Sequence, residues 1–155
     1  KWVLFNALDL DDRVKRYPLA KAAFDLAQQR LGNLSLRLAH GLAHDELPLF
    51  VAACDVILCT SETEGWPNSV KEALACNVPF VSTDVSDLRD IARCEPSCRI
   101  CPPDAEALAQ GLCEVLTTAE PARLRSQVMA MGQEASSAAL ARLYESLIAS
   151  GRAMA

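Results

Sequence analysis

Short apolar runs alternate with longer segments of helical periodicity along this chain, and that alternation limits the possible folds more than any other feature. The apolar runs predict five strands, at residues 2–5, 34–39, 56–59, 79–82 and 98–101. The run from Val56 to Cys59 is apolar throughout, which is typical of a strand buried on both faces. Strands separated by helices in this order predict an α/β, Rossmann-like fold, in which helices cover both faces of a parallel sheet.

The segments between the apolar runs predict the helices. Apolar residues recur at helical spacing in residues 19–31, about 46–53, 69–75 and from 104 onwards. Asp104 has the position and side chain of an N-cap. The tail from Pro121 is predicted to be helical in two pieces, with a break at Gly132.

Length and charge bound the possible functions. The 155 residues support one domain, 1–155, and 15 basic against 20 acidic side chains give a net charge of −5. Nucleic-acid binding and docking on anionic lipid both depend on Lys and Arg, so neither is expected of this domain. No apolar run is long enough to span a bilayer, and no signal peptide is evident. Seven cysteines, an odd number, favour a reducing cytoplasm.

Both ends of the sequence suggest a missing partner. The chain begins with Lys1 and enters a predicted strand at once, as if cut from a longer protein. The last predicted helix, from about residue 133, has an apolar stripe formed by Leu140, Leu143, Tyr144, Leu147 and Ile148. We expect this helix to pack partly on a domain that is absent here.

The segment of residues 61–75 carries the strongest functional signal. It follows the third predicted strand, and ligands of open parallel sheets bind outside the carboxyl ends of the strands. Gly65 allows the backbone to approach a ligand closely, and a helix is predicted from about Ser69. Glu64 in the loop and Glu72 in the first helical turn are expected to face one pocket. Because carboxylates only accept hydrogen bonds, such a pair suits a ligand rich in hydroxyls.

A structural interpretation of the same residues stays open. Ser69 and Glu72 have the spacing of a capping box, in which the carboxylate only satisfies a backbone N–H. Glu64, close to Glu62, then becomes one of two solvated loop acids. Trp66 is either a platform for a sugar ring or a shield for the loop. Residue types alone do not separate these alternatives.

The extended order of motifs resembles the retaining glycosyltransferases of the family-4 type, which consist of two facing Rossmann-like domains, the GT-B fold. Their C-terminal domain carries two Glu separated by seven residues, as Glu64 and Glu72 are here. The resemblance covers nearly the whole chain. Three further segments carry it: residues 53–56, 71–84 and 101–109. Residues 15–17 and 68–72 look especially like the bacterial members that build surface polysaccharides.

The resemblance implies roles for individual residues. Glu64 would contact the transferred hexosyl group and act as the catalytic residue, and Glu72 would bind the ribose of the nucleotide-diphosphate sugar. Lys15, with Arg13 or Arg16, would hold the diphosphate. The main chain of the intervening segment would hold sugar hydroxyls and phosphate oxygens, through Gly65, Trp66, Pro67, Asn68 and Ser69. Transfer would retain configuration without a metal or other cofactor, and the absent N-terminal domain would bind a saccharide or lipid-linked acceptor.

Three departures from the family pattern leave other functions open. Asn6-Ala7 replaces a Gly-Arg pair after the first strand, and Asn77 and Ser86 replace glycines. A non-catalytic Rossmann-like module for nucleotide binding or assembly is therefore the second hypothesis. An epimerase of the same fold is a third, with no local support.

Metal binding is not expected. Cys94, Cys98 and Cys101 have the spacing of a cluster motif, but the odd separation of the last two along a strand directs their sulfurs to opposite faces. His40 and His44 flank Gly41, and two ligands are too few for a closed zinc site.

Overall fold

A computed structural model describes residues 1–7, 9–43, 45–118 and 123–153. The five strands are β1 Trp2–Phe5, β2 Ser35–Leu38, β3 Val56–Cys59, β4 Phe80–Ser82 and β5 Arg99–Ile100. The helices are α1 Tyr17–Leu31, α2 Leu47–Ala52, α3 Asn68–Ala75, α4 Leu88–Cys94, α5 Ala105–Thr117 and α6 Gln133–Ala153. Two short 3₁₀ turns, Arg125–Gln127 and Met129–Met131, precede α6.

All the strand pairings are parallel, and the strands lie in the order β2-β1-β3-β4-β5. The predicted parallel sheet is thus confirmed. The chain moves outward from β1 to β2 in one direction and then returns to place β3 on the other side of β1. The connections that leave β1 and β3 therefore diverge, and a crevice for a ligand forms at the carboxyl ends of these two strands.

Alternate strand residues face two separate cores. Val3 and Phe5 point to the face that α1 and α5 cover, whereas Leu4 points to the face that α2, α3 and α4 cover. Because both faces of the central strands are buried, their sequences are apolar without interruption. Helices on both faces were predicted and are observed.

Local signals explain the helix boundaries. The side chain of Asp104 accepts a hydrogen bond from the Ala107 N–H at 2.9 Å, which confirms the predicted N-cap of α5. The sequence did not predict α4. This helix has only seven residues, and Leu88 and Ile91 are its only buried side chains among the described residues, so its periodicity is too short to detect.

The segment after residue 122 differs from the prediction. Instead of a helix, two 3₁₀ turns carry Leu124 and Val128 into the core beside α2, α3 and α4. The side chain of Asn77 holds this segment by accepting hydrogen bonds from the N–H groups of Leu124 and Arg125, at 2.9 and 3.1 Å. The break at Gly132 is confirmed, because α6 begins at the next residue. None of the described helices is both long and apolar enough to cross a membrane.

Candidate functional site

Two loops meet at the carboxyl ends of β1 and β3, where the strand order predicts a ligand crevice. One connects β1 to α1, and the other connects β3 to α3. Glu62 N–H donates to the carbonyl of Val14 at 2.9 Å, and the hydroxyl of Thr60 donates to the carbonyl of Lys15 at 2.7 Å. These bonds join residues far apart in the sequence, so the two loops form one structure.

Arg16 fastens these loops from the start of α1. It has a φ of 52°, an uncommon conformation for a residue with a side chain. Its guanidinium donates from Nε to the carbonyl of Thr60 at 2.7 Å and from Nη2 to that of Ser61 at 2.8 Å. These bonds to two main-chain carbonyls fix the guanidinium and offset the backbone strain.

Lys15 and Glu64 form an ion pair across the crevice. Lys15 Nζ lies 2.5 Å from Glu64 Oε1, and the two side chains are only 29% and 16% exposed. The hydroxyl of Ser61 donates to the same Oε1 at 2.8 Å. An ammonium group has three protons and a carboxylate has two oxygens. No described residue bonds the other two ammonium protons or Glu64 Oε2, so both groups can still bind a ligand.

Gly65 follows the ion pair, and the folded chain does not require glycine there. A Cβ at this position would meet nothing within 4 Å, and the φ of Gly65 is not in the left-handed region. Ser86, with a φ of 50°, donates its hydroxyl to the Gly65 carbonyl at 2.7 Å. The hydrogen bond from Ser86, which follows β4, therefore holds the loop in place, while the space beside Gly65 stays open.

The next four residues lead into α3. Pro67 is buried at the N-cap position without a capping side chain, and the helix begins at Asn68, which is exposed. Ser69 is therefore inside the helix and not at the N-cap position, which the capping box suggested by its spacing with Glu72 would require. Trp66 is half-buried, with the ammonium of Lys71 lying 5.4 Å from its ring centroid.

Glu72 lies one turn into α3. Its residue lines a cavity of about 180 Å³ between α2 and α3, with mainly apolar neighbours: Leu47, Pro48, Val51, Ala75 and Cys76. Glu64 is not among the residues that line this cavity. The convergence of Glu64 and Glu72 on one ligand stays a prediction.

A larger cavity, of about 590 Å³, adjoins the ion pair at the carboxyl ends of β3, β4 and β5. Arg16, Ser61, Asp84 and Arg89 are among its lining residues. The hydrogen bonds between Arg89 and Asp84 lower the pKa of the Asp84 carboxyl and raise the pKa of the Arg89 guanidinium, so both groups are ionised at neutral pH. The sequence analysis did not select Asp84 or Arg89. Their only sequence signal is an acid and a base spaced for contact directly after a buried strand.

The remaining candidates lie outside this arrangement. Arg13 is exposed and lines a cavity of about 400 Å³ with Asp11 and Asp12, and no described residue forms an ion pair or hydrogen bond with it. His40 is exposed after β2, and His44 lies outside the described residues.

The cysteine motif does not form a cluster. Cys98 belongs to the core beside α2, α3 and α4, whereas Cys101 belongs to the core beside α1 and α5. Their predicted placement on opposite faces of the sheet is confirmed. Burial raises the pKa of Cys98 to about 11 and also raises the pKa of Cys101. Across the described part of the chain, no group of three or more His, Cys, Asp or Glu has an arrangement suited to a metal ion.

A Rossmann-like half-domain with charged loops at this crevice is the class of structure found in GT-B glycosyltransferases. The family model for glycosyl transferases group 1 matches residues 19–118, well over half of the chain. The chain belongs to this family.

Two solved structures share the fold. Sucrose-phosphate synthase from Thermosynechococcus elongatus is 24% identical, with a TM-score of 0.76 over 96% of this chain and 46% of that one. A GtfA/B complex is 15% identical, with a TM-score of 0.63 over 94% of this chain and 35% of that one. This chain therefore spans less than half the length of either. No curated protein sequence matches the chain significantly.

Proposed function

We propose that this chain is the donor-binding half of a two-domain glycosyltransferase that transfers a hexosyl group from a nucleotide-diphosphate sugar. In this proposal Glu64 contacts the transferred sugar, Lys15 holds the diphosphate and Glu72 binds the ribose. The acceptor is a saccharide or a lipid-linked saccharide that the other half of the enzyme helps to bind. The reaction retains the configuration of the sugar.

The observation that carries the proposal is the Lys15–Glu64 pair at the junction of β1 and β3. The pair brings together a cation, for phosphate, and a carboxylate, for sugar hydroxyls, and each keeps unused hydrogen-bonding capacity. A nucleotide-diphosphate sugar presents those two chemistries side by side. Because the pair is mostly buried, bulk water screens these charges less than it would screen surface charges.

The separation of Glu64 and Glu72 suits a long ligand. The sugar end would lie against Glu64 and Gly65, and the ribose would reach Glu72 at the mainly apolar cavity between α2 and α3. Main-chain groups of residues 65–69 lie between the two acids, beside the start of α3, where free N–H groups favour phosphate oxygens.

The chemistry proposed needs no resident metal. As the bond between the sugar and the diphosphate breaks, negative charge grows on the phosphate oxygens. The ammonium of Lys15 would stabilise that charge, and the fixed guanidinium of Arg16 would add to the positive potential. We assign Arg13 only a peripheral part, because it is exposed. The full enzyme would act in the cytoplasm, at the periphery of the inner membrane where the acceptor is lipid-linked, and without membrane contact through this domain.

Gly65→Ala tests the donor site directly, because neither packing nor backbone conformation requires glycine at this position. We expect the variant to keep the melting temperature of the original chain and to bind the donor at least tenfold more weakly, since the new methyl group occupies ligand space. Isothermal calorimetry with UDP, GDP and their glucose and mannose conjugates measures binding, and differential scanning calorimetry measures stability.

Glu72→Gln provides the second test, and Glu62→Gln is its matched control. Glu72→Gln should weaken nucleotide binding without lowering the melting temperature, while the exposed Glu62 should tolerate the same change. Failure of all the nucleotides to bind at millimolar concentration would contradict the proposal. Loss of stability without loss of affinity would make Glu72 a structural residue.

A non-catalytic nucleotide-binding or assembly module is the alternative, and one observation favours it. Arg16 is committed to the carbonyls of Thr60 and Ser61, and Asn6-Ala7 lacks the arginine that the resembling family has there. Nucleotides that bind as tightly as their sugar conjugates, with no effect of Glu64→Gln on the difference, would support this alternative.

A further inference from the structure

Apart from Arg16, the residues that line the cavity of about 590 Å³ beyond the ion pair have no part in the donor contacts proposed above. It opens between the start of α1, the carboxyl ends of β3 to β5 and the loop from β5 to α5. Its size is in the range of small-molecule sites in proteins. Its walls combine a polar side, with Arg16, Asp84 and Arg89, and an apolar side, with Pro102 and Pro103.

Asp84 and Arg89 form the polar side as a fork of two planar groups. Arg89 Nε lies 3.1 Å from both carboxylate oxygens, and its Nη2 lies 2.5 Å from Oδ2. Both side chains are about half exposed, at 49% and 52%. An ion pair so exposed contributes little to stability. The fork presents donors and acceptors side by side, which matches neighbouring hydroxyl groups on a sugar ring.

Pro102 and Pro103 form the apolar side. Both are exposed, and two consecutive prolines make a stiff surface because each ring fixes its own backbone φ. A sugar ring carries C–H groups on its faces and hydroxyls around its rim. The cavity offers an apolar surface for the face and the ionised fork for the rim.

The charges around the cavity favour an uncharged ligand. Arg16 and Arg89 contribute two positive charges, and Glu62 and Asp84 contribute two negative ones. A phosphate or a uronic acid would gain from the arginines but would lie beside two carboxylates. A neutral saccharide uses both signs as hydrogen-bond partners.

Ser61 connects this cavity to the donor site. Its hydroxyl donates to Glu64, its carbonyl accepts from Arg16 and also from the Thr83 hydroxyl at 2.6 Å, and its residue lines the cavity. We infer that the cavity binds the saccharide ring of the acceptor, next to the sugar that Glu64 contacts. This inference rests on the proposed function.

Binding there would bring an acceptor hydroxyl close to the anomeric carbon of the donor. In the transfer, the bond between that carbon and the diphosphate oxygen breaks and a bond to the acceptor oxygen forms. The proton of the acceptor hydroxyl passes to the departing nucleoside diphosphate. The domain that binds the donor would thus also orient the acceptor.

The test is a titration of the ¹⁵N-labelled chain, followed by NMR, with the methyl glycosides of glucose, galactose, mannose and N-acetylglucosamine. We expect at least one glycoside to shift the resonances of Asp84, Arg89 and their neighbours. Arg89→Gln and Asp84→Asn should each weaken that binding about tenfold, because each removes a charged hydrogen-bonding partner. Arg93→Gln, which removes an exposed arginine from the same helix, is the matched control and should have no effect.

Three results would overturn the inference: no shift with any glycoside at high millimolar concentration, shifts that the Asp84 and Arg89 variants do not change, or binding of glucuronate or inorganic phosphate alone. UDP and GDP titrated into the same samples separate this inference from the proposed function. Nucleotide binding without glycoside binding rejects the cavity as the acceptor site only. Glycoside binding without nucleotide binding rejects the donor proposal and leaves a saccharide site.

Discussion

Gly111 lies in the middle of α5, where the helix packs so close to the sheet that there is no room for a side chain. A Cβ at this position would lie 2.8 Å from Cys101 Sγ and 3.1 Å from Val81 Cγ1, and all three residues are buried. Alanine is favoured over glycine in a helix by about 1 kcal/mol. Overpacking of a core costs about 1 to 3 kcal/mol. We therefore expect Gly111→Ala to lower the free energy of unfolding by about 1 kcal/mol.

Urea and thermal denaturation followed by circular dichroism measure this change. For a chain of this size, 1 kcal/mol corresponds to a fall of about 2 to 4 °C in the melting temperature. Gly132→Ala is the matched control, because its Cβ would be 3.5 Å from the nearest atom and its φ of −63° suits alanine. That variant should be unchanged or slightly more stable.

A double mutant isolates the contact itself. Cys101→Ala removes the sulfur that a Cβ at Gly111 would meet, so adding Gly111→Ala to this variant should cost less than adding it to the original chain. We expect the two substitutions to couple favourably by about 1 kcal/mol. A rise in melting temperature for Gly111→Ala, or strict additivity in the double mutant, would refute the reasoning. Cys101 also lines the larger cavity.

Three further predictions concern stability. Asn77→Ala should lower the free energy of unfolding, measured in urea, by roughly 2 kcal/mol, because it removes the acceptor for two backbone N–H groups and puts alanine at a φ of 60°. Asn77→Gly should cost less, because glycine tolerates that φ. Asp104→Ala should cost about 1 kcal/mol through loss of the N-cap, and Asp104→Asn should recover most of it. Burial raises the pKa of Cys98 from 9.0 to about 11, so the unfolded chain releases the thiol proton at a lower pH than the folded chain does. The contribution of the protonated Cys98 to the free energy of unfolding is therefore complete below pH 9 and is lost as the pH rises to about 11. Stability measured across this range should fall less steeply in Cys98→Ala.

The central strands were the most predictable part of the fold. β1 and β3 match the predicted residues 2–5 and 56–59, because strands buried on both faces are continuously apolar. The outer strands are shorter than predicted. β5 contains only Arg99–Ile100 of the predicted 98–101, although the Cys101 N–H still donates to the Ser82 carbonyl of β4 at 2.8 Å.

Positions 77 and 86 illustrate what sequence reasoning does not resolve. Asn77 and Ser86 differ from the glycines of the resembling family, yet both adopt a positive φ, at 60° and 50°, so the turns keep a glycine-like conformation. Each side chain then forms a contact that glycine lacks: Asn77 with the segment before α6, and Ser86 with Gly65. Such contacts join residues distant in sequence, so no local sequence pattern predicts them.

The Lys15–Glu64 pair was unpredictable for a related reason. The carboxyl edge of the sheet follows from strand order, which the alternation of elements predicts. Which charged side chains meet along that edge depends on the path of each loop. Here the path of the β3–α3 loop depends on hydrogen bonds from Arg16 to two main-chain carbonyls. No sequence motif predicts these bonds.

Several hydrogen bonds that order the β3–α3 loop are accepted by its carbonyl groups. Arg16 and Thr83 bind the carbonyls of Thr60 and Ser61, and Ser86 binds that of Gly65. Within the described ranges, no main-chain carbonyl accepts a hydrogen bond from the N–H groups of residues 63–66. Because unpaired N–H groups need an acceptor once water is excluded, a ligand rich in oxygen atoms satisfies them at little cost in loop ordering. In the proposed function, these contacts would order the loop before the donor binds.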